Sequence, residues 1–311
     1  MSLILNRKKY STLSSLALNP YYITGFADAE GTFALLVLKG KGYLGLGLPR
    51  LVFKIGVHIR EKELLERIAT YFGVGKVYAD RKDSCQYLVQ SMADLAVIIK
   101  HFENYPLITQ KRGDFELFRQ AFYLVLAKEH LTEEGFQKYI NLRASINGGN
   151  LLQAVQAEFP NTVPFSRPSF EFKGIPDSFW LSGFTDGDGC FRIKTRKSAA
   201  HKFGVSVNLG FILTQHIRDL ALIQSLVSYL NCGGHSIATD SLSCEFHVYR
   251  TADILNIILP FFEKYPLQGV KRQDFADFVL AAKIIQNKDH LTESGYQQIL
   301  ALKQGMNKGR K

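Results

Sequence analysis

Hydrophobic and polar positions along this chain change period several times, and they do so twice in the same order. From Cys190 to Lys197 the residues alternate: Phe191, Ile193 and Thr195 fall on one face and Arg192, Lys194 and Arg196 on the other, the period-two pattern of a strand with one face on a core. Thr32 to Leu38 holds the corresponding place in the first half and reads as an almost wholly apolar strand. Further strands are expected at 50–59, 76–78 and 86–90, with partners at 205–215, 235–237 and 245–250. Residues 61–72 and 218–230 carry apolar side chains at helical spacing. Each half therefore reads αββαββα.

The repetition extends to the residues themselves. YYITGFADAEG at 21–31 returns as WLSGFTDGDG at 180–189: Gly25, Phe26, Asp28 and Gly31 recur as Gly183, Phe184, Asp186 and Gly189, and Glu30 is answered by Asp188. YPLITQKRGDFELF from Tyr105 returns as YPLQGVKRQDFADF from Tyr265, and KEHLTEEGF from Lys128 as KDHLTESGY from Lys288. From Asn147 to Asp177 the period fails, and Gly148, Gly149, Pro160, Pro164, Pro168 and Pro176 crowd together. That composition marks a linker over 147–177, between an N-terminal half at 1–146 and a C-terminal half at 178–311.

Both motif copies read as short helices. Asn19 with Pro20, and Asp177 with Ser178, supply an N-cap and a first helical position, while Gly31 and Gly189 suit the left-handed residue that closes a helix. Glu30 and Asp188 then sit at helix C-termini, where the macrodipole disfavours a carboxylate by about 0.3 to 1 kcal/mol and a positive partner is expected. A carboxylate beside helix-end carbonyls, those of Ala29 and Gly187, is a hard, oxygen-rich donor set suited to Mg²⁺ or Ca²⁺. Asp28 and Asp186 lie about 200° away around the helix and are given structural roles. Gly25 and Gly183 fall mid-helix, where Gly costs about 1 kcal/mol relative to Ala. The expected return is close approach of another backbone, so the two motif helices should pack against each other. Thr132 is an N-cap candidate with acids in the first turn, and His130 and His290 read as structural.

Composition narrows the partner. The 311 residues are 46% apolar, enough for a core in each half, and Lys+Arg of 38 against Asp+Glu of 28 gives a net charge of +10 and a pI near 9.3. Such a balance suits a polyanion, with nucleic acid the first candidate. No apolar run approaches the roughly 18 residues of a membrane span. Four cysteines, Cys85, Cys190, Cys232 and Cys244, show no metal-ligand spacing and read as reduced, buried thiols. Residues 1–18 carry Arg7, Lys8, Lys9 and several Ser but no acid, which fits a transit peptide or a basic arm; the arm is the preferred reading. The end of the chain from Asn307, NKGRK, reads as a basic, mobile tail.

These motifs resemble those of the LAGLIDADG homing endonucleases of the single-chain, two-repeat kind, with pattern positions from Ile23 to Gly31 and from Leu181 to Gly189. Glu30 departs conservatively from the Asp of the family pattern. The resemblance implies an α+β fold of two pseudo-symmetric αββαββα half-domains, with the motif helices packed centrally and two antiparallel sheets forming a saddle over double-stranded DNA. It implies a monomer that hydrolyses both strands of a long, pseudo-palindromic or asymmetric site and leaves short 3′ overhangs. Glu30 and Asp188 would hold Mg²⁺, with Mn²⁺ able to substitute and Ca²⁺ supporting binding without turnover. Lys111 and Lys271 fall where the family places basic residues that assist phosphodiester cleavage. Gln215 falls at a polar position associated with active-site water, although its counterpart is Val57. Resemblance to organellar, intron-encoded members implies a mitochondrial location. The alternative reading is an RNA maturase that helps a group I intron fold; retention of both acids and both lysines favours the nuclease.

For DNA contact the candidates are Arg192, Lys194 and Arg196 in the second half and Lys39, Lys41, Arg50, Lys76 and Arg81 in the first. The first strands differ in kind, because Ala34, Leu36 and Leu38 stand where the second half has its three cations. Arg and Lys in a major groove favour guanine, whereas apolar side chains offer contact with a thymine methyl. Either the first half compensates through its other cations or its strand is buried on both faces.

Overall fold

The computed structural model describes residues 17–38, 47–198, 204–239 and 241–309. In chain order, α1 (Pro20–Glu30) runs directly into β1 (Gly31–Leu38), followed by β2 (Leu48–His58), α2 (Lys62–Phe72), β3 (Lys76–Ala79), β4 (Ser84–Val89), α3 (Met92–Asn104), α4 (Lys111–Leu126), α5 (Glu133–Ser145) and α6 (Leu152–Glu158). The order then repeats with α7 (Ser178–Asp188), β5 (Gly189–Lys197), β6 (Val205–His216), α8 (Leu220–Leu230), β7 (Gly234–Ile237), β8 (Ser243–Val248), α9 (Leu259–Lys264), α10 (Lys271–Gln286) and α11 (Glu293–Gln304). The described residues form two antiparallel four-stranded sheets, ordered β1-β2-β4-β3 and β5-β6-β8-β7. By contacts the chain divides into a unit of Ala27–Lys173 and a unit of Met1–Phe26 with Gly174–Lys311, so the division falls inside α1. No helix among the described residues is long and apolar enough to cross a membrane.

Each unit closes its sheet over the same five aromatic rings. In the first, Phe33, Phe53, Phe102, Phe115 and Phe118 pack with centroids 5.2 to 5.6 Å apart. In the second, Phe191, Phe211, Phe262, Phe275 and Phe278 repeat the arrangement. All ten rings are at most 3% exposed. The alternation of β1 and β5 sends Phe33 and Phe191 inward, and the helices after each sheet supply the remaining rings.

The mid-helix glycines behave as the pattern demands. Within the second unit, a Cβ on Gly25 would collide with the Trp180 carbonyl and a Cβ on Gly183 with that of Tyr22, so α1 and α7 meet backbone to backbone along Tyr22–Phe26 and Trp180–Phe184. Asn19 Oδ1 accepts from Tyr21 N at 2.8 Å and Asp177 Oδ1 from Phe179 N at 2.7 Å, capping both helices.

The glycines at the other ends work differently from the expected left-handed caps. Gly189 is extended (φ −79°, ψ 155°), and Gly31 opens β1 with no positive φ. They are small because a Cβ would lie 2.6 Å from Ala27 O in one case and 2.7 Å from Thr185 O in the other. The helix passes straight into a strand.

Other expectations need correction. Asn307 is not the start of a mobile tail: its N–H donates to Asp274 Oδ1 at 3.1 Å and its Nδ2 to Phe191 O at 3.0 Å. Asn147 makes the matched pair of bonds, to Asp114 Oδ1 at 2.8 Å and to Phe33 O at 3.1 Å, and both asparagines have φ of 54°. The stretch after Asn147 also contains α6, with Val155 fully buried. Cys190 is half-buried, whereas Cys85, Cys232 and Cys244 are buried free thiols. The helix matching α3 is broken into Thr251–Asp253, a π segment at Ile254–Ile258, and α9. Pro260, standing where α3 has Lys100, removes a backbone donor and accounts for the wider turn.

His101 replaces the ring of Phe261 at the matched position and is enclosed by Tyr71, Phe72, Phe102 and Tyr105. Burial pushes its pKa down to about 3. The unfolded chain therefore binds a proton that the folded chain refuses between about pH 6.5 and 3, and stability is lost as pH falls through that window, by at most about 1.4 kcal/mol per unit. His101→Phe should be nearly as stable as the native chain at pH 8 and increasingly more stable below pH 6; a pH-independent difference in denaturant midpoints would contradict this. Gly183→Ala should cost about 3 kcal/mol or more by overpacking a backbone contact, measured as loss of stability in urea.

Candidate active site and nucleic-acid interface

Each motif helix ends on a half-buried carboxylate, Glu30 in one unit and Asp188 in the other, and each has a lysine at its last turn. Lys111, the first residue of α4, donates its Nζ to Ala27 O at 3.1 Å and Ala29 O at 2.9 Å. Lys271, the first residue of α10, donates to Thr185 O at 2.8 Å and Gly187 O at 2.8 Å. A full positive charge thus sits on the helix-end carbonyls, which offsets the dipole that the terminal acid opposes. The expected positive partner is present, and it is the chain's own lysine.

The second acid of each motif explains why the lysine arrives there. Asp28 accepts from Ile108 N (3.1 Å), Thr109 N (3.3 Å) and Thr109 Oγ1 (2.6 Å), and Asp186 Oδ2 from Gln268 N (2.7 Å), Gly269 N (3.0 Å) and Tyr22 OH (2.6 Å). These loops lead directly into α4 and α10, so a buried carboxylate fixes where the lysine helix begins. Burial raises the Asp186 pKa, while the hydrogen bonds from Tyr22, Gly269 and Gln268 and the charge of Lys271 pull it back. Tyr22, Thr109 and Gln268 went unnoticed in the sequence; the signal was the repeated YPL loop, whose backbone N–H groups needed acceptors.

The two sites also differ at the position of Gln215. Gln215 Nε2 donates a short hydrogen bond to Asp188 Oδ2, fixing one oxygen of that carboxylate. Val57, at the matched register opposite Cys85, is half-buried and can donate nothing.

As for a metal, no group of three or more His, Cys, Asp or Glu side chains comes together among the described residues. Each half offers a single terminal carboxylate, with the adjacent carbonyls of Ala29 and Gly187 already accepting from lysine. Hard oxygens in so small a number fit an ion such as Mg²⁺, which keeps waters and draws on substrate phosphates, better than one that needs a complete protein cage.

The open faces of the sheets carry the candidate nucleic-acid contacts. Arg192, Lys194 and Arg196 are exposed on β5, opposite Gly210, Asn208 and Ser206 of β6. Tyr249 stacks on His247 (4.9 Å, 22°) and covers Gly210, where a Cβ would lie 2.9 Å from the ring. These residues line a cleft of about 380 Å³ rimmed by the three cations. The sequence reading missed Asn208, Gly210 and Tyr249. In the first half Arg50, Lys76 and Arg81 are exposed, and Lys39 and Lys41 lie outside the described residues. Its apolar strand is not buried on both faces: Leu36 is 38% exposed and Leu48, across from Leu38, is 51% exposed.

A repeated motif helix ending in an acid, a lysine on its last carbonyls and a four-stranded sheet with an open face define a two-repeat nuclease-like architecture. The chain belongs to the LAGLIDADG endonuclease family, whose model matches residues 23–122 and 181–282. It is 34% identical over 300 residues to a probable intron-encoded endonuclease 3 of Neurospora crassa, covering 95% of this chain and 56% of that one. A second protein of the same fungus, probable intron-encoded endonuclease 2, is 35% identical over 320 residues, covering 98% and 69%. The chain thus spans between half and seven-tenths of the length of these relatives. Among solved structures, the I-SmaMI LAGLIDADG homing endonuclease bound to cleaved DNA superposes with a TM-score of 0.91 at 42% identity, over 94% of this chain and 98% of that one. I-SmaMI has also been seen on an uncleaved DNA target in the presence of calcium ions.

Proposed function

We propose that this protein is a site-specific endonuclease that hydrolyses both strands of a double-stranded DNA target, acting as a monomer and leaving short 3′ overhangs. The observation that carries the reading is the matched pair of helix ends, each with a carboxylate beside a lysine seated on the last carbonyls. A protein that only binds a polyanion gains nothing from an acid facing it. The maturase alternative therefore leaves Glu30 and Asp188 without a purpose. Intron-encoded relatives, and calcium ions on a DNA-bound one, support the nuclease reading and an organellar origin in the mitochondrion.

In this mechanism Glu30 and Asp188 would each supply a carboxylate for divalent ions, Mg²⁺ for turnover with Mn²⁺ as a substitute and Ca²⁺ for binding alone. Such an ion, when bound, activates water and stabilises the leaving oxygen. The chain's own residues do the remaining work. Lys111 and Lys271 present ammonium groups that stabilise charge on the phosphate being cleaved. Gln215 orients one oxygen of Asp188, while Val57 holds the matched position in the first half. Arg192, Lys194 and Arg196, with Tyr249 behind them, read one half-site; Arg50, Lys76, Arg81 and the exposed leucines meet the other.

Glu30→Gln and Asp188→Asn should each abolish double-strand cleavage while leaving affinity for the target within a few-fold, because the sheets are untouched. Selection from a randomised DNA library, followed by cleavage assays in Mg²⁺, would check this; substantial double-strand cutting by either variant would remove the assignment. Cleaving every single-base variant of the target should show the half-site under β5 and β6 to be the stricter, each lost bidentate contact costing about 1 to 3 kcal/mol. Equal tolerance in both half-sites would show that the cations of β5 do not set specificity.

A further inference from the structure

The linker does more than join the halves. We propose that it clamps one of the two active-site lysines: Arg167, seated on the start of α4, is a positioning residue for Lys111, so that cleavage of one DNA strand depends on the linker and cleavage of the other does not. The proposal rests on the reading of Lys111 as part of the active site.

The contacts surround Lys111. Arg167 Nη2 donates to Gln110 O at 2.6 Å and to Asp114 Oδ2 at 2.9 Å, with only 6% of the Asp114 side chain exposed. Gln110 Nε2 donates in return to Phe170 O at 3.2 Å, and the Arg112 guanidinium lies 4.3 Å from the centroid of the Phe170 ring. Gly113 admits the strap: a Cβ there would lie 2.7 Å from Pro168 O and 2.9 Å from Arg167 Nε. Gln110, Arg112, Gly113 and Asp114 thus all engage residues 167–170. Lys111, between them, turns inward, where its Nζ reaches Ala27 O and Ala29 O.

Among the described residues, the linker makes no matching contact with the start of α10. Gln273 stands where the first half has Gly113, and Val270 where it has Gln110. Arg272 Nη1 donates to Gln268 O at 3.2 Å and Gly269 O at 3.0 Å, so the loop before α10 is capped by its own helix. An arginine borrowed from the linker in one half is matched by an arginine of the helix itself in the other. A lysine held within 3.1 Å of two carbonyls by its helix start is sensitive to small displacements of that start.

The test is single-turnover cleavage of a target labelled separately on its two strands, with affinity and thermal unfolding measured on each variant. Lys111→Met identifies the strand served by the first half. Arg167→Ala should slow that same strand about tenfold or more, since a misplacement of about 1 Å can cost a hundredfold, and leave the other strand and the affinity within about twofold. Gly113→Gln, which expels the strap with the residue that the second half uses, should do the same. Arg167→Lys should recover part of the rate, because a single nitrogen makes both bonds. Equal slowing of the two strands, or a loss that follows affinity or melting temperature, is what a purely structural strap gives and overturns the proposal. If Lys111→Met slows one strand and neither Arg167→Ala nor Gly113→Gln does, the clamp alone falls; if Lys111→Met slows neither, the role of the lysine falls with it.

Discussion

A helix that ends in a carboxylate opposes its own dipole, and much of this protein is arranged to make that ending tenable. The ammonium of Lys111 or Lys271 on the last carbonyls supplies the missing charge. The lysine must arrive from outside the helix, so the loop before it has to be fixed, and the buried Asp28 or Asp186 does this through backbone N–H groups. One acid of the motif is thereby committed to architecture, while the other stands half-buried at the helix end. The strand that follows without a turn carries the same geometry into the sheet.

The pseudo-symmetry is strict where packing requires it and loose where it does not. Five aromatic positions, two anchoring asparagines, two carboxylates and two lysines match across the repeats. Around them the partners have been exchanged: Thr109 serves Asp28 where Tyr22 serves Asp186, and Arg167 does for one loop what Arg272 does for the other. Equivalent demands have been met by residues from different parts of the chain.

That exchange also explains what could be read in advance. Elements with a clear period, such as β5 with its alternating cations or α4 behind its YPL loop, were legible because a face must be buried and the repeat says so twice. The glycines after Glu30 and Asp188 were correctly seen as obligatory but for the wrong reason, since composition does not distinguish a left-handed φ from a close carbonyl. Arg167 and Tyr249 were invisible because each acts through a partner distant in sequence, Asp114 and Gly210. Asn307 looked like part of a polar tail, when its matched residue Asn147 had already been placed at the edge of the linker.

The exposed leucines of the first sheet set it apart physically from the second. Contacts between cations and phosphates draw their strength from counterions released into solution and weaken as the ionic strength rises. Contacts made by apolar side chains are indifferent to it or slightly strengthened by excluded salts. Arg192, Lys194 and Arg196 stand on one sheet, and on the other Leu36 and Leu48 lie open beside the exposed Arg50, so the balance of the two kinds of force differs between the sheets. Added salt would weaken whatever the cations of either sheet contribute and spare what the leucines contribute, so the two sheets would answer unequally to ionic strength.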